Sequence, residues 1–368
     1  MNQILLFIGL VIILCLTIKP VGKKLPFPTL LIFIALGMLL GVNGPAHIDF
    51  SDYALTETVC STALLFIMFY GGFNTNIDRA KPVAVPAVLL STLGVVITAG
   101  ITGVFAHFAL GFDWIDGLLL GSVVASTDAA SVFSVLREHS LSLRGGTDSL
   151  LEVESGSNDP VAYMLTAVLA TLAAGGDINI PALLAKQIIL GVGLGLAIGW
   201  AAGRLIERAH ATAEGAQTIF LFAVAIVAYA LPSYLGGNGF LAVYLAGIVL
   251  GASDITGKVE MAHFFDTLTE MAEMTIFFLL GLLVTPARLP QMLLPSLALM
   301  AFMLFVSRPI AVGVLLAPFK TNPRQVALVS WAGLRGVASV VFGLFAVVAG
   351  DENMIHEAKE NVKAAGLS

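Results

Sequence analysis

The sequence predicts an all-α polytopic membrane protein of about twelve transmembrane helices, and three observations carry that prediction. Charged residues make up only 11% of the 368 residues and hydrophobic ones 58%, where a soluble chain carries about 25% charged. Apolar runs long enough to cross a bilayer, roughly 20 residues each, recur from end to end. Lysine and arginine gather in alternate loops, the asymmetry that orients membrane proteins.

The apolar runs place spans at 2–18, 25–42, 55–73, 83–108, 114–136, 150–173, 181–205, 216–235, 239–252, 262–284, 291–317 and 325–349. The first has no basic n-region and no small-residue cleavage site, so it is expected to be a span rather than a signal peptide. The ninth is short and punctuated by glycine. Loops after odd-numbered spans hold Lys19, Lys23, Lys24, Arg79, Lys81, Arg137, Arg144, Arg204, Arg208, Lys258, Lys320 and Arg324; loops after even-numbered spans hold only Lys186 and Arg288. The positive-inside rule then puts the odd loops in the cytoplasm and the N-terminus outside. Twelve spans from that start leave the polar tail 350–368 outside, although its composition suits the cytoplasm. Either a thirteenth span is missing beyond the membrane domain 1–349, or the count of spans is off by one.

An internal repeat argues for the missing span. "LLIFIALGMLLG" (30–41) resembles "LAVYLAGIVLG" (241–251), with Gly37 and Gly41 falling on Gly247 and Gly251. The same offset lays Gly71 on Gly281, and a neighbouring one lays "AASVF" (129–133) over "VASVV" (337–341). Spans one to five therefore resemble spans eight to twelve. An odd number of spans separates the copies, so they are inverted in the membrane, an arrangement that places substrate near the midplane beside interrupted helices.

Ionisable residues inside spans mark where chemistry is expected, because each costs between about 2.5 and more than 10 kcal/mol at the bilayer centre. Span five carries Asp128 among Ser126, Thr127 and Ser131, whose hydroxyls and freed carbonyls suit a cation's oxygen shell. Ala125, Ala129 and Ala130 let another helix approach closely. A buried salt-bridge partner is the plainer role for Asp128. Span six carries Glu152, Glu154 and Asp159. Ser155 and Asp159 lie four apart and share one helix face, while Glu154 and Asn158 share another about 100° away. Ser155 and Asp159 are thus expected to line one site. Glu154 needs a positive partner, and Arg335 is the leading candidate; Arg308 is the other mid-span arginine, with bracing or function equally open to it. Pro160 removes a backbone donor and is expected to open the helix there, and Glu152 is expected to be hydrated. Glu270 and Glu273 read as a hydrated helix end rather than a second ion site.

Burial disfavours the charged form of a carboxylate, and a bound cation favours it. Proton and cation then compete for one group, and competition with alternating access is enough for exchange without a cofactor. Cys15 and Cys60 lie in apolar runs with no metal-ligand spacing and read as buried thiols. The six histidines are scattered, which speaks against a metal site. No nucleotide loop, nucleophile triad or nucleic-acid patch is present, and the Gly-x-Gly-Asp context of an intramembrane aspartyl protease is missing around Asp128 and Asp159. A transporter, not an enzyme, is the expectation.

"TDAASVFSVL", "ESGSNDP", "FLAVYLAGIVLG", "SRP" and "GLRGVAS" together resemble the NhaP-like branch of monovalent cation:proton antiporters, and within it the bacterial potassium/proton members. The likeness runs in order through essentially the whole chain. It implies a core domain and a dimerisation domain, two broken helices crossing near Asp128 and Arg335, and a homodimer in the plasma membrane. It implies Asp159 as the main cation- and proton-binding carboxylate, with Asp128, Ser155 and the Thr127 backbone completing the site. Asn158, before Asp159, is counted with these cation- and proton-binding residues and marks the branch associated with electroneutral exchange, and Glu154 with Arg335 matches a structural ion pair. Potassium is favoured over sodium by the same likeness. Two departures are expected from the resemblance: Tyr70 occupies a position where relatives tend to have an acid, and the thirteenth span and, often, cytoplasmic regulatory domain of such members are missing, so that the sequence reads as C-terminally truncated. A transport-dead truncated antiporter or membrane scaffold is the alternative.

Overall fold

The computed structural model describes residues 2–22, 29–41, 44, 47–128, 143, 145–176, 179–208, 214–255 and 257–364, and among them every regular element is a helix. The helices are α1 (Asn2–Gly22), α2 (Leu30–Leu40), α3 (Tyr53–Asn74), α4 (Ile77–Leu110), α5 (Trp114–Val123), α6 (Thr147–Ala173), α7 (Ile180–Arg208), α8 (Glu214–Tyr234), α9 (Gly239–Ala252), α10 (Lys258–Leu283), α11 (Pro286–Phe319), α12 (Pro323–Trp331) and α13 (Val337–Ala364). By length and composition α3, α4, α7, α11 and Ala216–Tyr234 of α8 each suffice to cross a membrane.

Local chemistry sets several boundaries. Asp52 accepts from the Leu55 N–H at 2.8 Å and Asn238 from the Leu241 N–H at 2.9 Å, capping α3 and α9. Gly111, at φ +78°, ends α4 in the left-handed conformation that glycine tolerates. Cys15 and Cys60 are buried free thiols, as the sequence suggests.

The expected repeat is visible as a pair of interchanged contacts. A Cβ on Gly37 of α2 would lie 2.3 Å from the Phe278 carbonyl and 2.7 Å from Gly281 Cα of α10. A Cβ on Gly247 of α9 would lie 2.5 Å from the Phe69 carbonyl and 3.2 Å from Gly72 Cα of α3. Thus α2 packs on α10 as α9 packs on α3, each through glycines that let backbones touch. The contact corrects one detail, because Gly72 and not Gly71 is the counterpart of Gly281; Gly71 faces open space. Helices α4 and α11 extend the symmetry, each 34 residues long and each containing one π-helical stretch, Leu90–Gly94 and Met303–Ser307. The segment 129–133 lies outside the described residues. Substituting Gly247 by Val is expected to destabilise the detergent-solubilised protein by at least the roughly 1–3 kcal/mol of ordinary overpacking, read as a lower thermal midpoint, whereas Gly71→Ala leaves it unchanged.

The helices pack in two groups. Helices α4, α5, α6, α11, α12 and α13 contact one another, as do α2, α3, α7, α8, α9 and α10; α6 and α13 meet α3, α9 and α10 between the groups. In the first group the non-helical end of α5 crosses an interrupted helix, α12–α13. The chain leaves helical geometry after α5 and again between α12 and α13, and the Asp128 N–H donates to the Leu334 carbonyl at 2.7 Å. Gly336 is required there, since a Cβ would fall 2.5 Å from Asp128 Cβ. Span twelve is therefore two helices, α12 and α13, and α13 continues past residue 349 as backbone helix.

Candidate functional site

The crossing delivers Ser126, Thr127 and Asp128 as non-helical backbone against the middle of α6. Irregular backbone at this depth needs partners for its polar groups, and α6 supplies them. Ser155 Oγ donates to the Thr127 carbonyl at 3.1 Å, and Ser126 Oγ donates to Asp159 Oδ1. Asn158 Nδ2 donates to Thr127 Oγ1 at 2.5 Å. Ser126, Thr127, Asp128, Ser155 and Asp159 all line one cavity of about 670 Å³ between the two groups of helices.

Asn158 takes a different place from the other expected ligands. It is fully buried behind the cavity wall and holds Thr127 rather than facing the space itself. The two helix faces read from the four-residue spacings therefore separate in the fold: Ser155 and Asp159 toward the cavity, Glu154 and Asn158 into the protein.

The partner of Glu154 is a correction. Arg308, not Arg335, reaches it, with Arg308 Nη2 donating to Glu154 Oε1 at 2.6 Å and both side chains almost fully buried. Arg335 instead donates through Nη1 to the Gly333 carbonyl. Thr127 Oγ1 also donates to Glu154 Oε1, at 3.4 Å. One chain of hydrogen bonds thus runs from Asn158 through Thr127 and Glu154 to Arg308, tying α6 and the crossing to α11.

Pro160 does not open α6, which runs unbroken through it. The missing N–H frees the Gly156 carbonyl, and the Pro160 carbonyl gains the Asn238 side-chain amide at 2.9 Å from the start of α9. One turn beyond Asp159, Tyr163 packs against Phe240, Phe342 and Phe345 with ring centroids 5.0, 5.8 and 5.3 Å apart. The cavity touches α6 at Glu152, Ser155, Gly156 and Asp159 but not beyond. It is open toward the exposed Glu152 and ends near that aromatic cluster.

Charge in the cavity is one-sided. Its lining includes Asp128, Glu152, Asp159, Asp266, Glu270 and Glu273, and no lysine, arginine or histidine among the described residues. The reading of Glu270 and Glu273 as a helix end is overturned, because α10 begins at Lys258 and carries both acids in its middle, lining the same cavity as Asp159. Tyr70 lines the same space and donates to Asp266 Oδ1 at 2.9 Å, while Lys19 of α1 pairs with Glu270. The signal for this wall was present in the sequence: Asp266, Thr269, Glu270 and Glu273 follow an i, i+3, i+4, i+7 pattern.

An acidic, oxygen-rich cavity beside an interrupted helix, with hydroxyls and the Thr127 carbonyl next to two carboxylates, is chemistry for a hard monovalent cation or a proton. Comparison with known proteins points the same way. The sequence pattern of the family described as "Sodium/hydrogen exchanger, transmembrane" matches residues 9–357. The K(+)/H(+) antiporter NhaP2 of Shewanella sp. (strain ANA-3) is 39% identical over 355 residues, 95% of this chain and 61% of its own length. The K(+)/H(+) antiporter NhaP of Alkalimonas amylolytica is 37% identical over 361 residues, 96% of this chain and 62% of its own. This chain thus spans about three fifths of the length of these curated relatives. The structure of the sodium proton antiporter MjNhaP1 from Methanocaldococcus jannaschii at pH 8 superposes with a TM-score of 0.81 at 23% identity, over 96% of this chain and 90% of that one. That likeness speaks for the fold.

Proposed function

We propose that this chain, which belongs to the transmembrane sodium/hydrogen exchanger family, exchanges a monovalent cation for protons, potassium ahead of sodium, without moving net charge. The observation that carries the proposal is the cavity in which Asp159 and Asp128 meet Ser155 and the Thr127 carbonyl, with no cationic side chain among the described lining residues. Asp159 holds either a proton or a cation. Asp128, Ser155 and the Thr127 backbone complete the ion's oxygen shell, and Asn158 acts through Thr127.

A single shared carboxylate is sufficient for coupling. The cation leaves when a proton arrives, and the loaded site changes sides as one group of helices moves against the other. The positive-inside count supports an N-terminus outside the plasma membrane, which turns the Glu152 end of the cavity to the cytoplasm. In that orientation the Tyr163 cluster closes the outer side. The names of the potassium/proton relatives support the ion preference, and the homodimer rests on the resemblance alone.

The test is purified protein in liposomes, with a pH-sensitive dye reporting proton movement on addition of potassium, sodium or lithium chloride. Cation-driven signals insensitive to membrane voltage are expected, strongest with potassium. Lowering the pH protonates the shared carboxylate, so the cation must displace a proton and its apparent KM is expected to rise as pH falls. Silence with every cation from folded protein overturns the proposal.

A further inference from the structure

We propose that Glu273, with the hydroxyl of Thr269, forms a second cation station on the wall of the cavity opposite Asp159, which the ion occupies on its way to Asp159 past the hydroxyl of Tyr244. The inference rests on the antiport reading above and adds to it a binding group from the other set of helices.

Helix α10 turns Asp266, Thr269, Glu270 and Glu273 toward the cavity. Two of the three acids it turns to the cavity are engaged: Tyr70 donates to Asp266 at 2.9 Å, and Lys19 pairs with Glu270. Glu273 lies about one turn further along the helix than Glu270 and is half-buried. Among the described residues no hydrogen bond or ion pair reaches its carboxylate. The charged groups it faces are Asp128 and Asp266, of its own sign, and Lys19, which Glu270 already holds. A carboxylate withdrawn from bulk water is stabilised by a donor, a cation or a proton. Its like-charged surroundings leave the last two.

Neutral oxygen is at hand. Tyr244 of α9 is 2% exposed and lines the cavity, and its Oη stands near the Thr75 hydroxyl but makes no hydrogen bond of 3.5 Å or less among the described residues. Its ring packs on α6 at Gly156, where a Cβ would lie 2.9 Å from that oxygen, so the hydroxyl stands between Ser155 and Asp159 in sequence register. Thr269 Oγ1, one turn before Glu273, is likewise buried without a partner and lines the same space. Orphaned buried hydroxyls are rare because each costs about 1–3 kcal/mol. The Thr269 hydroxyl one turn from the Glu273 carboxylate, with the Tyr244 hydroxyl on the Asp159 side, gives the cavity a donor set of one charge and neutral oxygens, which suits a partly dehydrated monovalent cation. Glu273 and Asp159 sit on different helix groups, so an ion passing between them is handed from one group to the other.

The test uses the full chain in liposomes and compares wild type with Glu273→Gln, Glu273→Asp and Tyr244→Phe. Initial rates are measured against potassium concentration, and potassium-dependent thermal stabilisation of the detergent-solubilised protein gives a readout independent of turnover. Glu273→Gln is expected to raise the apparent KM for potassium about tenfold, the factor that 1.4 kcal/mol of lost binding gives, with a smaller effect on Vmax. Tyr244→Phe is expected to raise it less, and Glu273→Asp to recover part of the loss. If wild type exchanges and folded Glu273→Gln keeps the wild-type KM and stabilisation, the second station is refuted while the antiport reading stands. If wild type shows neither exchange nor stabilisation with any cation, the antiport reading falls and the station with it.

Discussion

Replacing Asp159 by Asn abolishes cation-driven proton movement in liposomes, while the protein remains folded and monodisperse. The substitution is nearly isosteric and keeps an acceptor for Ser126 Oγ, which bonds to Asp159 Oδ1. What it removes is the charge, and with it the one group proposed to bind both substrates. Loss of a desolvated charge from a site of this kind costs roughly 2–5 kcal/mol, at least about 30-fold in affinity at tenfold per 1.4 kcal/mol. The amide also carries no exchangeable acid, so coupling fails whatever cation affinity survives. Substituting Asp128 by Asn weakens exchange without ending it, because Asp128 adds charge but the Ser126–Asp159 contact persists. Wild-type rates in Asp159→Asn, measured over the same pH range, would refute the assignment.

The fold was readable in the sequence wherever composition decides. Ionic cost keeps charge out of spans, so the limits of α3, α6, α7 and α9 fall within a few residues of the apolar runs. The faces of α6 were readable too, because a four-residue spacing fixes which residues share a side, and Ser155 and Asp159 do line the cavity while Glu154 and Asn158 turn inward. What a helix faces is a different matter. Periodicity says which side is polar but not which helix lies opposite, and Arg308 and Arg335 both approach Gly333, where a Cβ would meet Arg308 Nε at 2.8 Å and Arg335 Nη1 at 3.3 Å. Two guanidiniums that close cannot be told apart by position in a span.

The α10 wall was missed for a related reason. The apolar run 262–284 already holds Glu270 and Glu273 near its middle, and their charge, not their position, led to the reading of a hydrated helix end. The helix starts at Lys258, after Gly257 at φ +75°. A count of the polar period would have recovered the acidic stripe, whereas the pairing of Tyr70 with Asp266, 196 residues apart, needs the tertiary fold. The slip from Gly72 to Gly71 has the same origin, since apolar segments align almost equally well one residue out of register.

Removing Arg308 is expected to cost more stability than any other single substitution considered, and the comparison with Arg335 makes the result decisive. Arg308→Leu leaves Glu154, 1% exposed, with its charge buried and, among the described residues, only the 3.4 Å hydrogen bond from Thr127 Oγ1 remaining. Breaking a buried pair in this way typically costs 3–5 kcal/mol, and the thermal midpoint in detergent falls accordingly. Arg335→Leu breaks no ion pair of Glu154 and loses a bond to the Gly333 carbonyl, so its midpoint falls less. Neutralising the abandoned acid tests the cause: Glu154→Gln added to Arg308→Leu is expected to recover part of the loss, the sign of direct coupling in a double-mutant cycle. A larger loss in Arg335→Leu, or a double mutant no better than Arg308→Leu, would return the pairing to Arg335. The damage also reaches transport, because Glu154 anchors Thr127, and the Thr127 carbonyl is one of the proposed ligands. Potassium affinity in the double mutant should therefore stay below wild type even where stability is regained, since glutamine refills the space but does not restore the charged anchor that fixes Thr127 against the crossing.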